Sequence, residues 1–144
     1  MGRIFITGSA DGLGELAAKQ LVSEGHQVVL HARNKARGQE ALKKIPGAEA
    51  VITADLSNVD ETKQLAKDVN ALGSFDAVIH NAGVYRGNEE AIVNVNTLAP
   101  YILTSLITPP KRLIYLSSGL HSGGQAKLQQ LETDPTKISY SDSK

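Results

Sequence analysis

The residues best suited to chemistry stand in one glycine-rich run, Thr7-Gly8-Ser9-Ala10-Asp11-Gly12-Leu13-Gly14. A short apolar run precedes it and a helical pattern follows at once. Strand, glycine turn and helix amino end together make an anion site. The first N–H groups of the helix lack partners, the dipole favours negative charge, and glycines admit a phosphate close to the backbone. The chemistry expected is the holding of a pyrophosphate. Three glycines alone could equally make a plain strand-to-helix turn. Their place after the first strand of an α/β pattern favours the nucleotide reading.

The elements that must hold this turn are legible as alternating patterns. Strands are expected at Arg3–Ile6, Gln27–Ala32, Ala50–Ala54, Asp76–His80 and Arg112–Leu116. Helices are expected between them. Gly12–Glu24 carries Leu13, Leu16, Ala17 and Leu21 on one face and stops at Gly25. Lys35–Ile45 is polar and closes at Pro46-Gly47. Ser57 with Asp60 resembles a capping box for a helix bearing Thr62, Leu65, Ala66, Val69 and Leu72. Glu89–Ile107 is a longer helix that Pro100 should bend. After Ser117 the chain turns polar and reaches Lys144 with no further clear element. Continuous apolar strands alternating with helices predict an α/β fold, a Rossmann-like doubly wound parallel sheet of about five strands in one domain spanning residues 1–144.

Composition narrows the function classes. The 144 residues are 41% apolar and 21% charged, and 15 basic residues balance 15 acidic ones. A nucleic-acid binder would show a basic excess, so no nucleic-acid partner is expected. The absence of cysteine removes disulfides and thiolate chemistry and fits a cytoplasmic protein. His26, His31, His80 and His121 show no ligand spacing, so no metal is expected. No apolar run reaches the length of a membrane span, and Ile4-Phe5-Ile6 is too short for a signal peptide. Gly2 suggests myristoylation, but Ile6 stands where that signal wants Ser or Thr.

The glycine spacing is TGxxxGxG, and it resembles the short-chain dehydrogenase/reductase family. Further segments fall in family order: Asp55-Leu56 after the third strand, Asn81-Ala82-Gly83 after the fourth, Asn96 in the long helix, Ser117-Ser118 after the fifth, and Tyr140-Ser141-Asp142-Ser143-Lys144 at the end. The resemblance implies a cofactor site of Gly8, Ser9, Asp11, Gly12, Leu13, Gly14, Arg33, Asp55, Leu56, Asn81, Ala82 and Gly83. By resemblance, Asp55 would bond the adenine amino group, Leu56 would supply a neighbouring backbone contact, and Asn81-Ala82-Gly83 would let the backbone pass the adenine ribose.

The end of the second strand meets the adenosine ribose in such folds. An acid there accepts from the ribose hydroxyls and repels a 2′-phosphate, whereas an arginine pairs with it. His31-Ala32-Arg33-Asn34 has no acid, so Arg33, with Arg37 as a second, points to NADP (NADPH) as the preferred cofactor and NAD as the lesser one. This stretch looks like that of carbonyl reductases and retinol dehydrogenases. Asp11 cuts the other way, since many NADP-dependent members carry a base before the second glycine.

The resemblance also implies catalysis by Ser118, Tyr140, Lys144 and Asn96 on a small-molecule carbonyl or alcohol. Ser118 would hydrogen-bond the substrate oxygen. Tyr140 would be the general acid in reduction and the base in oxidation. A free tyrosine has a pKa of about 10, and a neighbouring ammonium lowers it. Lys144, four residues on and on the same helix face, would be that ammonium. Asn96 would hold a water in a proton relay. Taken alone, Tyr140 and Lys144 read more readily as exposed residues of a polar tail.

The segments Gly83–Asn96 and Asn96–Ser118 are shorter than the family usually has, and Ser118–Tyr140 is longer, in the manner of retinol dehydrogenases. Family members continue past the lysine, so the C-terminal part of the family fold is expected to be absent. Tyr140–Lys144 would then be a single fraying turn whose α-carboxylate offsets the ammonium. Arg112–Leu116 would be an exposed strand edge, giving a weakly stable, self-associating chain, a homo-oligomer or an open aggregate, with little activity. A non-catalytic nucleotide-binding or interaction module that keeps only the cofactor half is the competing expectation.

Overall fold

The computed structural model describes residues 1–144. Five strands, β1 (Arg3–Ile6), β2 (Gln27–Ala32), β3 (Ala50–Thr53), β4 (Ala77–His80) and β5 (Arg112–Tyr115), form one sheet. Their order is β3-β2-β1-β4-β5, and every pairing is parallel. Side chains alternate across a strand, so an unbroken apolar run fills two cores at once. Phe5, Val29 and Val78 enter one core with Leu65, Val69 and Leu103. Ile4, Ile6, Val28 and Leu30 enter the other with Ala18, Ala41 and Ile45. Each buried Val, Leu, Ile or Phe among them stabilises the fold by roughly 1.5–3 kcal/mol relative to exposure.

The helices α1 (Gly12–Ser23), α2 (Lys35–Lys44) and α3 (Val59–Ala71) stand between the strands where the patterns put them. The face of α1 differs from expectation. Gly14 and Ala18 are buried, while Leu13 and Leu16 are 72% and 62% exposed. Small residues let this helix lie close on the sheet, and that contact outweighs the larger apolar area of the other stripe. The cap of α3 also differs. The Asn58 side chain accepts from the N–H groups of Asp60 and Glu61, while Ser57 is drawn onto the Asp55 carboxylate.

The long helix runs unbroken from Glu89 to Leu106, but it is not α throughout. It runs as α4 (Glu89–Val93), a π-helical turn over Asn94–Leu98, and α5 (Ala99–Leu106). Pro100 has no N–H for the carbonyl four residues back, and its ring crowds that carbonyl. Widening the turn before it relieves the conflict, so the irregularity falls on Asn96. Beyond Ser117 the polar stretch is ordered where no element was expected. A 3-10 turn spans Gly119–Gly123, α6 spans Leu128–Thr133, a short turn covers Pro135–Lys137, and α7 spans Tyr140–Ser143. No helix is long and apolar enough to cross a membrane.

Candidate active site and cofactor cleft

The strand order reverses between β1 and β4, and a ligand crevice is expected beyond the carboxyl ends of strands at such a point. A cleft of about 580 Å³ lies there. All the residues expected to hold the cofactor line it except Ser9. Ser9 is fully buried; its hydroxyl donates to Ile6 O at 2.9 Å and accepts from His31 N at 2.9 Å. Its part is to hold the turn from beneath.

The glycine turn divides into a used and an open half. Thr7 N–H donates to Ile79 O, Gly8 N–H to the His31 ring and Ser9 N–H to His31 O. The N–H groups of Gly12, Leu13 and Gly14 have no partner, and Asp11 occupies the N-cap position without bonding them. Gly8 and Gly12 adopt φ of +64° and +56°, which glycine alone tolerates cheaply. A Cβ on Gly14 would stand 2.3 Å from Gly8 O and 2.4 Å from the Asn81 side chain. Gly14 is therefore required by the turn's own backbone, before any ligand arrives.

Two residues outside the sequence-based set build this turn. The Thr7 hydroxyl accepts from both Asn81 N–H and Ala82 N–H at 3.0 Å, joining the ends of β1 and β4. The Asn81 amide donates back to Thr7 O and Gly8 O, so its side chain braces the turn. His31 is buried, and its neutral ring spans Gly8 N–H and Ala54 O. Burial pushes the imidazole pKa down to about 4, against the Ala54 carbonyl and Asp55, which favour the charged form. The signal for Thr7 was its place at the head of the glycine run; His31 gave none, because its partners lie on other strands.

At the ribose end, Arg33 Nε pairs with Asp55 Oδ2 at 2.9 Å, and Arg37 pairs with Asp11. Burial alone would raise the Asp55 carboxyl, but two hydrogen bonds from Ser57 and the Arg33 guanidinium hold it below its ordinary range. Both arginines are largely exposed, and exposed pairs contribute about 0–1 kcal/mol, so they can change partner cheaply.

A smaller cavity of about 110 Å³ adjoins the cleft and shares Leu56, Ala82 and Val95 with it. Asn96 and Lys144 line it, with Ser117. A Cβ on Gly83 would meet Lys144 Nζ at 2.8 Å, so the ammonium lies directly against the Asn81-Ala82-Gly83 turn. Burial holds this ammonium below its ordinary pKa. The Asn96 amide is committed: its oxygen accepts from Val84 N–H at 2.8 Å, and its nitrogen donates to Val84 O and Ser143 Oγ. The α7 turn is held at both ends rather than left loose. Ser139 and Asp142 form a reciprocal capping box, Asp142 also binds Gln125 N–H and Lys127, and Thr97 donates to Ser143 O. The Asp142 carboxyl is accordingly held far below its ordinary range. Ser118 and Tyr140 are nearby but not joined. The Ser118 hydroxyl accepts from Leu120 N–H, and the Tyr140 ring packs edge-on against Tyr85 at 4.8 Å.

The model of the family described as short chain dehydrogenase matches residues 3–113. The chain belongs to that family. An uncharacterised oxidoreductase of Emericella nidulans is 53% identical to this short-chain dehydrogenase over 142 residues, covering 91% of the chain and 56% of the relative. A metagenomic short-chain oxidoreductase solved in complex with NADP is 31% identical, with a TM-score of 0.70, covering 81% of this chain and 62% of that one. A short-chain dehydrogenase from Sphingobium yanoikuyae, solved with NADPH, shares the fold at 20% identity and a TM-score of 0.79, covering 100% of this chain and 60% of that one. The chain spans about half the length of the curated relatives it matches. The Rossmann-like parallel sheet expected from the strand pattern is thus the fold found, and the family expected from the motifs is the family matched.

Proposed function

We propose that this chain carries the cofactor half of an NADP-dependent oxidoreductase acting on a carbonyl or alcohol. The supporting observation is the cleft itself. It offers three free N–H groups at the helix end to a pyrophosphate, and it opens toward two arginines with no acid at the end of β2. The cofactor supplies or takes up hydride when bound. Gly12, Leu13 and Gly14 would hold phosphate oxygens, Arg33 would hold the 2′-phosphate, and Asp55 would accept from the adenine amino group. Lys144, beside Gly83, would hold the nicotinamide ribose. Tyr140 gives a proton to the substrate oxygen in reduction, Ser118 donates a hydrogen bond to that oxygen, and Asn96 supports the relay behind Lys144. The relative solved with NADP agrees with this cofactor.

Fluorescence titration with NADPH and NADH tests the reading. NADPH should bind more tightly, and Arg33→Ala should weaken NADPH by an amount on the order of 1.5–3 kcal/mol while leaving NADH little changed. An unchanged ratio overturns the assignment. The Ser118 hydroxyl turned toward Leu120, and the absence of a bond from Tyr140 to Lys144, favour a second reading, a nucleotide-binding module without turnover. NADPH oxidation that disappears in Tyr140→Phe excludes that alternative.

A further inference from the structure

The buried imidazole of His31 has no part in the scheme above, yet it touches both ends of the cleft. Its ring stands between the turn after β1 and the end of β3, with Nδ1 facing Gly8 N–H at 3.0 Å and Nε2 facing Ala54 O at 3.0 Å. A carbonyl can only accept, and an amide N–H can only donate. The pair of contacts therefore fixes one tautomer, hydrogen on Nε2 and a lone pair on Nδ1. The backbone of the same residue is engaged with Ser9 in both directions. Residues 8 and 9 are thus suspended from His31, and the N–H groups of residues 12 to 14 are left to face outward. Gly8 has no freedom elsewhere, since a Cβ there would meet the Ala82 backbone at 2.9 Å.

We propose that His31 is a positioning residue of the cofactor site, whose Nδ1 lone pair sets the Gly8 peptide so that the Gly12–Gly14 amides converge on phosphate. The inference rests on the cofactor reading given above. Without an acceptor at Nδ1, the Gly8 amide is a donor free to turn toward solvent or ligand, and the turn loses its single setting.

Two substitutions separate the arms of the ring. His31→Asn places an amide oxygen where Nδ1 stands and keeps the acceptor for Gly8 while losing the bond to Ala54. His31→Gln places an amide nitrogen where Nε2 stands, keeps the bond to Ala54 and loses the acceptor. Each removes one imidazole hydrogen bond, so both should lower the thermal midpoint. NADPH affinity should split: near wild type in His31→Asn and about tenfold weaker in His31→Gln. Amide exchange at Gly8, read by NMR without ligand, should be slow in wild type and His31→Asn and fast in His31→Gln. Equal affinities in the two variants, with wild-type binding intact, overturn the positioning role. Failure of the wild type to bind NADPH overturns the cofactor reading and this inference with it.

Discussion

Single atoms decide the shape of the candidate cofactor cleft. At Gly14 a methyl group would enter a space already held by Gly8 O and the Asn81 amide. Gly14→Ala should therefore lower both the melting temperature and NADPH affinity, the latter by at least about tenfold. A variant that melts like wild type and titrates like it would show that the turn yields. At Asp11 the logic runs the other way. Its carboxylate stands at the N-cap of α1, beside the proposed phosphate site, and ties up Arg37. Asp11→Asn should free that arginine and remove a repulsive charge, tightening NADPH binding roughly three- to tenfold and NADH less. Titration of both nucleotides checks it, and an unchanged NADPH affinity would place Arg37 outside the 2′-phosphate site.

Between elements, the strand ends are tied by buried histidines. His31 closes the end of β2, and His80, at the end of β4, stacks on Tyr115 and meets Thr104. Burial pushes both rings down to about 4, against about 6.5 for a free imidazole. The folded state thus binds fewer protons than the unfolded chain between those values. The stabilisation is full above about pH 6.5 and is lost as pH falls toward 4, by an amount of order 3 kcal/mol for each histidine. Urea midpoints between pH 7.5 and 4.5 should fall, and His80→Asn should flatten the fall. These ties also explain what the chain revealed on reading. All five strands were legible, because runs such as Val28-Val29-Leu30 have no other use. The packing face of α1 was legible only in part: Leu21 packs on the core as expected, but Gly14 and Ala18 carry the buried face while Leu13 and Leu16 stand exposed. The place of the glycine run, between β1 and α1 at the cleft, was legible by type and spacing. His31 was not, because its role exists only once strands distant in sequence lie side by side.

At the margin of the sheet, β5 pairs with β4 on one side only. Leu113, Ile114 and Tyr115 are all exposed, as is Tyr101 on α5. Free N–H and C=O groups beside apolar side chains favour pairing with a second copy. Sedimentation of the 144-residue chain should show association that rises with concentration. Ile114→Lys should shift the distribution toward monomer, since a charge on an edge discourages pairing. Equal sedimentation of the two proteins would place any association on another surface.

The wide turn at Asn94–Leu98 makes the length of this segment a constraint separate from its composition. A π turn takes up more residues than an α turn, and Asn96 lies inside it with its amide fixed by Val84 and Ser143. Deleting Thr97 would let this turn close to the ordinary repeat, so α4 and α5 would keep their faces toward the core. Asn96, drawn into the narrower turn, would leave Val84 and Ser143, and the Thr97 bond to Ser143 O would go with it. A deletion of one residue here should thus loosen α7 while leaving Ile92 and Val93 buried, whereas a deletion inside α5, with no wide turn to absorb it, would turn Leu103 away from the core by about 100°. The same deletion in the exposed Gly119–Gly123 turn should be tolerated. Insertions and deletions, more than substitutions, would map where this chain measures its own spacing.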